Sequence, residues 1–178
     1  MKHIMCDLET MGLRPDAAIV SIGAVHFDKT AILSEFYTPV SLKSCIDAGL
    51  TQDQSTIDWW MKQSVEVRMA WQTEDAPSLY EALSNYTAWL RGIGTDREIC
   101  PWGNGSDFDN VLMVSAHRAL GVDPHWKFWN HRCFRTMKSM FQVAYMPRQG
   151  THHNALDDAK HQTLHLQRIL QNHKIELS

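Results

Sequence analysis

Asp7 and Glu9 flank a single leucine, Leu8, at the end of a short apolar run near the start of the chain. Residues two apart on an extended strand face the same side, so both carboxylates would point at one spot. Two like charges that close repel and raise each other's pKa, and a divalent cation removes that cost. Hard oxygen ligands suit Mg²⁺ or Mn²⁺ better than zinc. The spacing therefore predicts a metal site at a strand end, although two ordinary solvated acids can have the same spacing.

A second pair of acids, Asp107 and Asp109, encloses Phe108 directly after the fourth predicted strand. An aspartate at a helix N-terminus is favoured by the free N–H groups and by the helix dipole. One of the two acids is therefore as easily a helix cap as a metal ligand. Phe108 between them is predicted to anchor in the core.

A histidine and an acid lie at the start of the last predicted helix. If Asn154 caps this helix, Asp158 lies one turn inside it and His153 lies on the loop before it. A histidine beside carboxylates is suited to act as a general base near neutral pH, because its ordinary pKa is about 6.5. A register with His152 and Asp157 in these roles stays open, as does an ordinary histidine on a surface loop.

A zinc site is the weaker interpretation of the titratable side chains. His161 and His165 are four residues apart on the last predicted helix, a spacing that can bind zinc, but they are not part of an H-E-x-x-H motif. In a chain with 10 histidines such a pair arises easily by chance. The 4 cysteines form no CxxC pair, which excludes a cysteine-based zinc finger and is typical of reduced thiols in the cytosol.

Composition is typical of an ordinary globular protein. At roughly 150 residues per domain, the 178 residues predict one domain spanning 1–178. Hydrophobic residues make up 44% and charged residues 21%, which excludes disorder, collagen and a coiled coil for the whole chain. No apolar run approaches the ~20 residues of a membrane helix, and an acid precedes any signal-peptide stretch. We expect a cytoplasmic protein with no membrane partner.

The charge is unevenly distributed along the chain. The formal net charge of −3 argues weakly against a protein that binds nucleic acid by overall charge alone. Residues 118–148 nevertheless contain six basic residues and one acid, so this segment carries +5 and the remainder −8. The segment is either a solvated surface or a phosphate-facing patch beside an acidic site.

Hydrophobic periodicity predicts the elements that must position these residues. Strands are predicted over residues 4–8, 19–27, 32–40, 98–103 and 127–129, and helices over 56–71, 78–91, 107 or 109–120, 133–144 and 155–171. The short connections between the first three strands predict an antiparallel meander. The element order predicts an α/β fold with a five-stranded mixed sheet, antiparallel first and parallel later, flanked by helices.

Three motifs occur in a fixed order: D-x-E-T at residues 7–10, N-x-x-x-F-D at 104–109 and H-x-x-x-x-D at 153–158. Together they resemble the motifs of the DEDDh 3′–5′ exonucleases. The segment T-I-D-W-W-M-K-Q at residues 56–63 resembles a signature of the compact phage and prophage (DexA-like) branch, which is similar to mycobacterial exoribonuclease-like domains. The resemblance extends from residue 4 to about residue 170.

The resemblance implies a ribonuclease H-like fold and a site that holds two Mg²⁺ or Mn²⁺ ions. The matched metal ligands are Asp7, Glu9, Asp109 and Asp158, and the matched general base is His153. Asp109 is preferred to Asp107, because it completes the F-D pair. Asp158 is preferred to Asp157, because it completes the five-residue step from His153.

The implied activity is 3′–5′ hydrolysis of single-stranded or frayed DNA or RNA ends to nucleoside 5′-monophosphates. The residues predicted to contact the terminal nucleotide are Leu8, Thr10, Met11 and Phe108. Trp102 is a further candidate for stacking on a base, whereas Trp59 and Trp60 are predicted to pack helices together or to line an interface. The resemblance and the tryptophan-rich middle of the chain make a homodimer possible.

Two other functions remain open at this point. One is a non-catalytic nucleic-acid-binding domain on the same fold, although all five motif positions are filled. The other is a different two-metal hydrolase, such as an endonuclease or a deoxynucleotide hydrolase. A one-nucleotide ladder from a labelled single strand would support the exonuclease, whereas internal cuts or gel retardation alone would favour the alternatives.

Overall fold

The computed structural model describes residues 1–69, 72–144, 146–148 and 150–177. Within these residues, five strands form one sheet in the order β3-β2-β1-β4-β5. Their bounds are β1 Lys2–Thr10, β2 Ile19–Phe27, β3 Ile32–Pro39, β4 Ile99–Gly103 and β5 Arg132–Cys133. β1, β2 and β3 pair antiparallel, whereas β4 pairs parallel with β1 and β5 pairs parallel with β4. The predicted α/β fold with a five-stranded mixed sheet is confirmed.

Helices flank this sheet. In the described part of the chain they are α1 Leu42–Asp47, α2 Gln54–Trp60, α3 Val65–Met69, α4 Leu79–Ile93, α5 Asp109–Ala119, α6 Phe134–Met140 and α7 Ala155–Asn172, with a 3₁₀ turn at Phe128–Asn130. The predicted helices over 78–91, 109–120 and 155–171 are confirmed, and α1 was not predicted. Among the described residues, no helix combines the length and the apolar character that a membrane span requires.

Three predicted elements differ from the structure, and one of them, the helix predicted over 133–144, ends four residues early at Met140. The helix predicted over 56–71 is interrupted by a turn, because the Ser64 side chain accepts the Val67 N–H and starts α3 as a separate helix; residues 70 and 71 lie outside the described residues. The strand predicted over 127–129 is instead the 3₁₀ turn. The Asn130 amide donates to the carbonyls of Arg97 and Ile99, so strand pairing at the sheet edge begins only at Arg132.

Two apolar clusters cover the two faces of the sheet, and β1 contributes to both. Ile4, Cys6 and Leu8 point into the cluster that contains α4 and α5 residues. Met5 points into the other cluster, beneath α6 and α7. Because side chains alternate along a strand, Asp7 and Glu9 emerge on the same face as Met5, next to α7.

A glycine lets α7 approach the sheet at this point. Gly23 on β2 is the register partner of Asp7 on β1. A Cβ at Gly23 would lie 2.1 Å from the carbonyl carbon of Ala155, the first residue of α7. The absence of a side chain therefore allows the first turn of α7 to lie directly on the sheet beside Asp7.

Candidate active site

Three carboxylates from two elements meet at the C-terminal end of β1. Asp7, Glu9 and Asp158 each offer an oxygen, and these oxygens lie within 4.8 Å of one another. Burial raises the pKa of Glu9 from 4.5 to about 8, and the charges of Asp158 and Asp109 add to the rise. Burial likewise raises the pKa of Asp7, with Asp109 and Glu9 as the largest neighbouring charges. We call these three side chains the carboxylate cluster.

Asp109, at the start of α5, lies beside the carboxylate cluster, and its charge adds to the effect of burial in raising the pKa of Asp7. It is 2% exposed, and its Oδ2 accepts the main-chain N–H of Asn104 at 2.8 Å. Burial raises its pKa to about 6, while the N–H groups that donate to it act in the opposite direction. A Cβ at Gly103 would lie 3.0 Å from this carboxylate, so the last residue of β4 leaves room for it. Asp107, in contrast, is exposed.

Two polar side chains that the sequence analysis did not single out hold the acids. The amide of Gln162 donates to Oδ1 of Asp7 at 2.6 Å, and the guanidinium of Arg148 donates to Oδ1 of Asp158. Gln162 follows Asp158 by one helical turn, so its position on the same face of α7 is the signal that could have identified it. Arg148 comes from a loop and left no such periodic signal.

His153 lies directly against the cluster. Its main-chain N–H donates to Oδ2 of Asp158 at 3.1 Å, and its φ of 60° places it in the left-handed region. The imidazole packs edge-on against Trp59 with ring centroids 4.8 Å apart. Burial lowers the pKa of His153, the charge of Asp158 opposes this, and His152 and Arg148 add to the lowering. The ring is therefore suited to accept a proton near neutral pH.

The alternative register, with His152 as the base and Asp157 as the ligand, is disfavoured by the positions of these two residues. Asp157 accepts the main-chain N–H of Thr151 at 2.8 Å and so belongs to the loop before α7. His152 is exposed. The side chain of Asn154 accepts the N–H groups of Leu156 and Asp157, as expected of the predicted helix cap. This cap directs Asp158, rather than its neighbour, towards β1.

A pocket of about 420 Å³ opens beside Glu9. Its lining is Leu8, Glu9, Thr10, Leu13, Ser55, Thr56, Trp59, Trp60 and Phe108. Trp60 is buried, and its indole N–H donates to the carbonyl of Thr10 at 2.9 Å, which fixes α2 against β1. Trp59 is 40% exposed and presents its ring to the pocket. Of the predicted substrate contacts, the structure brings Leu8, Thr10 and Phe108 here.

Met11 and Trp102 do not reach the pocket. Met11 is 1% exposed, and its main-chain N–H donates to the carbonyl of Ala18 at 2.9 Å. Its backbone and side chain are thus both engaged inside the fold. Trp102 is buried between His3 and Phe27, and its indole N–H donates to Nδ1 of His3 at 3.1 Å. Both side chains therefore belong to the core: Trp102 lies on a covered face of β4, and Met11 lies in the covered segment that follows β1.

The donor set of the cluster fits a hard divalent cation. Within the described ranges, Asp7, Glu9 and Asp158 are the one group of three titratable side chains that brings ligand atoms this close together. All three donors are carboxylate oxygens, which suit Mg²⁺ or Mn²⁺. The raised pKa values of Asp7 and Glu9, caused first by burial and then by the neighbouring acids, show that these two side chains resist ionisation when no cation is bound. His161 and His165 do not belong to it, and the ring of His165 packs against Phe134.

The sequence matches a known family over nearly its whole length. Residues 2–170 match the 3′–5′ exoribonuclease Rv2179c-like domain. The chain is also 27% identical over 160 residues to an exodeoxyribonuclease of Enterobacteria phage T4, in an alignment that covers 76% of this chain and 70% of the phage protein. Both matches agree with the resemblance carried by the three sequence motifs.

Solved structures share the fold. The nuclease domain of 3′hExo, a DEDDh family member bound to rAMP, superposes with a TM-score of 0.66 at 17% identity, covering 99% of this chain and 94% of that one. Exonuclease X in complex with 5′ overhanging duplex DNA superposes with a TM-score of 0.58 at 15% identity, covering 96% and 92%. At these identities the likeness establishes the ribonuclease H-like fold.

Proposed function

Because the chain belongs to the family of 3′–5′ exoribonuclease Rv2179c-like domains, within the DEDDh 3′–5′ exonucleases, we propose that it removes 3′-terminal nucleotides from single-stranded or frayed DNA or RNA and releases nucleoside 5′-monophosphates. One observation carries the proposal. The oxygens of Asp7, Glu9 and Asp158 lie within 4.8 Å of one another, and Glu9 also lines a pocket of about 420 Å³. A scissile phosphate and a terminal nucleoside would thus have adjacent places.

Asp7, Glu9, Asp109 and Asp158 are the proposed ligands of two Mg²⁺ or Mn²⁺ ions. When bound, such ions supply activation of the attacking water and stabilisation of the leaving 3′-oxygen. The carboxylates provide the negative charge that holds them, and the pKa values of Asp7 and Glu9 are raised first by burial and then by the neighbouring acids. Gln162 orients Asp7 through its 2.6 Å hydrogen bond.

His153 is the proposed general base. Its imidazole accepts a proton from the attacking water, for which it must be neutral, and burial lowers its pKa in the direction that keeps it neutral. Trp59, with its ring centroid 4.8 Å away, restricts the orientation of the imidazole. The hydrogen bond from the His153 N–H to Asp158 ties the base to a metal ligand.

The pocket beside Glu9 is the proposed place of the terminal nucleoside. Trp59 and Phe108 offer aromatic surface on which a base can stack, and stacking tolerates every base. Leu8 and Thr10 form the floor at the end of β1. Ser55 and Thr56 contribute hydroxyl groups from the start of α2, so the pocket has polar partners for a sugar.

We extend the proposal to the setting of the enzyme. Residues 1–178 are proposed to act as one domain, with a homodimer as the possible assembly. The thiols of Cys6, Cys45, Cys100 and Cys133 are free, as expected of a protein that works in the reducing cytoplasm. Single-stranded 3′ ends are proposed in preference to intact duplex, since an aromatic pocket requires unstacked bases.

A 5′-labelled single strand with Mg²⁺ or Mn²⁺ tests the proposal. The expected product pattern is a ladder with one-nucleotide steps, and Asp7→Asn should abolish it while the circular dichroism spectrum is unchanged. Asp107→Asn is the matched control, because Asp107 is an exposed aspartate near the same site. Internal cuts would indicate an endonuclease, and gel retardation without cleavage would indicate a binding domain; either result refutes the proposal.

A further inference from the structure

Two neighbouring aromatic side chains are exposed on the 3₁₀ turn that precedes β5. Phe128 is 78% exposed and Trp129 is 60% exposed, and their rings contact each other edge-on with centroids 5.0 Å apart. We call them the aromatic pair. An adjacent pair of large apolar side chains in solvent is costly for a protein unless it serves binding.

The turn that carries the aromatic pair is fixed to the sheet. Asn130 is 4% exposed and donates to the carbonyls of Arg97 and Ile99 at 3.0 Å each. Arg132 donates from its guanidinium to the carbonyl of Trp129 at 3.3 Å. The aromatic rings are therefore presented on an anchored support, which lowers the entropy cost of binding through them.

Cationic side chains lie beside the aromatic pair, although one of them, Lys127, is paired with Asp96. Phe128 lines a pocket of about 250 Å³ together with Arg118, Lys127 and His131. Asp123 lies in the same lining, and Arg132 follows the turn at the start of β5. The guanidinium groups of Arg118 and Arg132 are thus the positive charges that this surface offers to a polyanion, although the whole protein carries −3.

The sheet edge leads from the aromatic pair towards the carboxylate cluster. β5 runs parallel to β4, which runs parallel to β1, so its C-terminal end lies at the same edge of the sheet as Asp7 and Glu9. Arg135 follows β5, and its charge lowers the pKa of Asp109. Trp129 and Arg135 are six positions apart, a span of at most about 20 Å.

We propose that the aromatic pair, with Arg118 and Arg132, forms a second contact site for single-stranded nucleic acid. The site holds the part of the strand that lies 5′ of the end in the carboxylate cluster. Bases stack on Phe128 and Trp129, and phosphates contact the guanidinium groups. The direction of the strand rests on the proposed 3′–5′ activity, whereas binding at this surface does not.

The test compares long and short strands. We would measure dissociation constants by fluorescence anisotropy for labelled strands of 20 and 4 nucleotides in EDTA, where no hydrolysis occurs. The double variant Phe128→Ala, Trp129→Ala should bind the long strand at least about tenfold more weakly, since each stacked base contributes that order of affinity, and bind the short strand as before. Tyr80→Ala is the matched control, because Tyr80 is a 63% exposed aromatic on α4. Arg118→Gln should reduce the salt dependence of long-strand binding by about one unit of slope.

Three results would overturn the second site. One is a long-strand affinity of the double variant within twofold of the parent, and another is an equal loss in Tyr80→Ala. The third is a dimer, detected by analytical ultracentrifugation, that dissociates in the double variant, since the aromatic pair would then be an interface between copies. A protein that binds long strands through the pair but never hydrolyses them keeps this site and refutes the exonuclease. If the parent produces the ladder but the double variant binds long strands with unchanged dissociation constants, the exonuclease stands and the second site is refuted.

Discussion

The side-chain amide of Gln162 donates to Oδ1 of Asp7 at 2.6 Å, which joins α7 to β1 through residues 155 positions apart. Gln162 is 6% exposed, and its Oε1 is buried without a hydrogen-bond partner among the described residues. Within the described part of the chain, the buried amide thus leaves its oxygen without a partner while its nitrogen holds one carboxylate. Such an arrangement is that of a positioning residue.

Gln162→Leu tests this role. Loss of the hydrogen bond frees Asp7 to rotate, so we predict a 10- to 100-fold decrease in kcat and in Mn²⁺ affinity, in the range typical of residues that orient metal ligands. Steady-state kinetics and Mn²⁺ titration by electron paramagnetic resonance would measure both. Gln167→Leu is the control, because Gln167 is a 5% exposed glutamine on α7 that donates to the carbonyl of Asp28 instead. Equal losses in the two variants would show that Gln162 only stabilises the fold.

Because of the buried acids, the stability of the protein should fall as the pH rises. Salt-bridged carboxylates usually have the opposite effect. The pKa of Glu9 is raised from 4.5 to about 8, and that of Asp7 is raised as well, chiefly by burial. A carboxyl group with a higher pKa in the folded protein stabilises it in the protonated form, so the contribution is present below about pH 4.5 and is lost as the pH rises towards 8. In EDTA, the thermal unfolding midpoint should therefore fall between pH 5 and pH 9.

Glu9→Gln should remove part of this fall. We expect the variant to gain about 1–3 kcal/mol over the parent at pH 9, because one repelling charge is gone. Addition of Mn²⁺ should stabilise the parent at pH 9 more than the variant. Asp107→Asn, an exposed change near the site, should follow the parent at every pH. A midpoint of the parent that is constant over this range would contradict the charge repulsion described here.

Substituting each of the two histidines before α7 distinguishes which of them acts as the base. His153→Ala should lower kcat by about 10²- to 10⁴-fold, the usual contribution of a general base, with Mn²⁺ affinity retained. The parent should lose activity as the pH falls through the pKa of His153, and the variant should lack this decline. His152→Ala should behave like the parent, because His152 is exposed. A reversed outcome would assign the base to the register of His152 and Asp157.

Trp59 should affect substrate binding more than the fold. It is 40% exposed, lines the pocket beside Glu9 and contacts the ring of His153. Trp59→Ala should raise KM about 5- to 100-fold, the equivalent of one lost base stack, and Trp59→Phe should restore most of the affinity. Met61→Ala is the control, since Met61 is exposed nearby on the same turn of chain. An unchanged KM in Trp59→Ala would place the terminal base elsewhere.

Most of the sheet could be predicted because its strands carry strong local signals. β1, β2 and β3 are apolar segments with short connections, and α7 is capped by Asn154 as predicted. α1 was missed because six residues give too little periodicity. β5 was placed too early, since a long-range hydrogen bond from Asn130, rather than a local preference, decides where pairing starts.

The acids of the site could be predicted, but their supporting side chains could not. The meeting of Asp7 with Glu9 follows from their spacing on a strand, whereas the choice of Asp158 over Asp157 came from the family resemblance. The contact of Trp59 with His153 and the ion pair of Arg148 with Asp158 join distant segments, and neither leaves a trace in local periodicity. Met11 was predicted next to the substrate from its neighbours alone, whereas packing at the end of β1 buries it.

The most direct test of the account is anomalous diffraction from a crystal soaked in Mn²⁺. The account predicts two anomalous peaks about 4 Å apart, contacted by Asp7, Glu9 and Asp158 with Asp109 adjacent, and their loss in Asp7→Asn. A well-ordered site with no anomalous density between Asp7, Glu9 and Asp158 at saturating Mn²⁺ would contradict it.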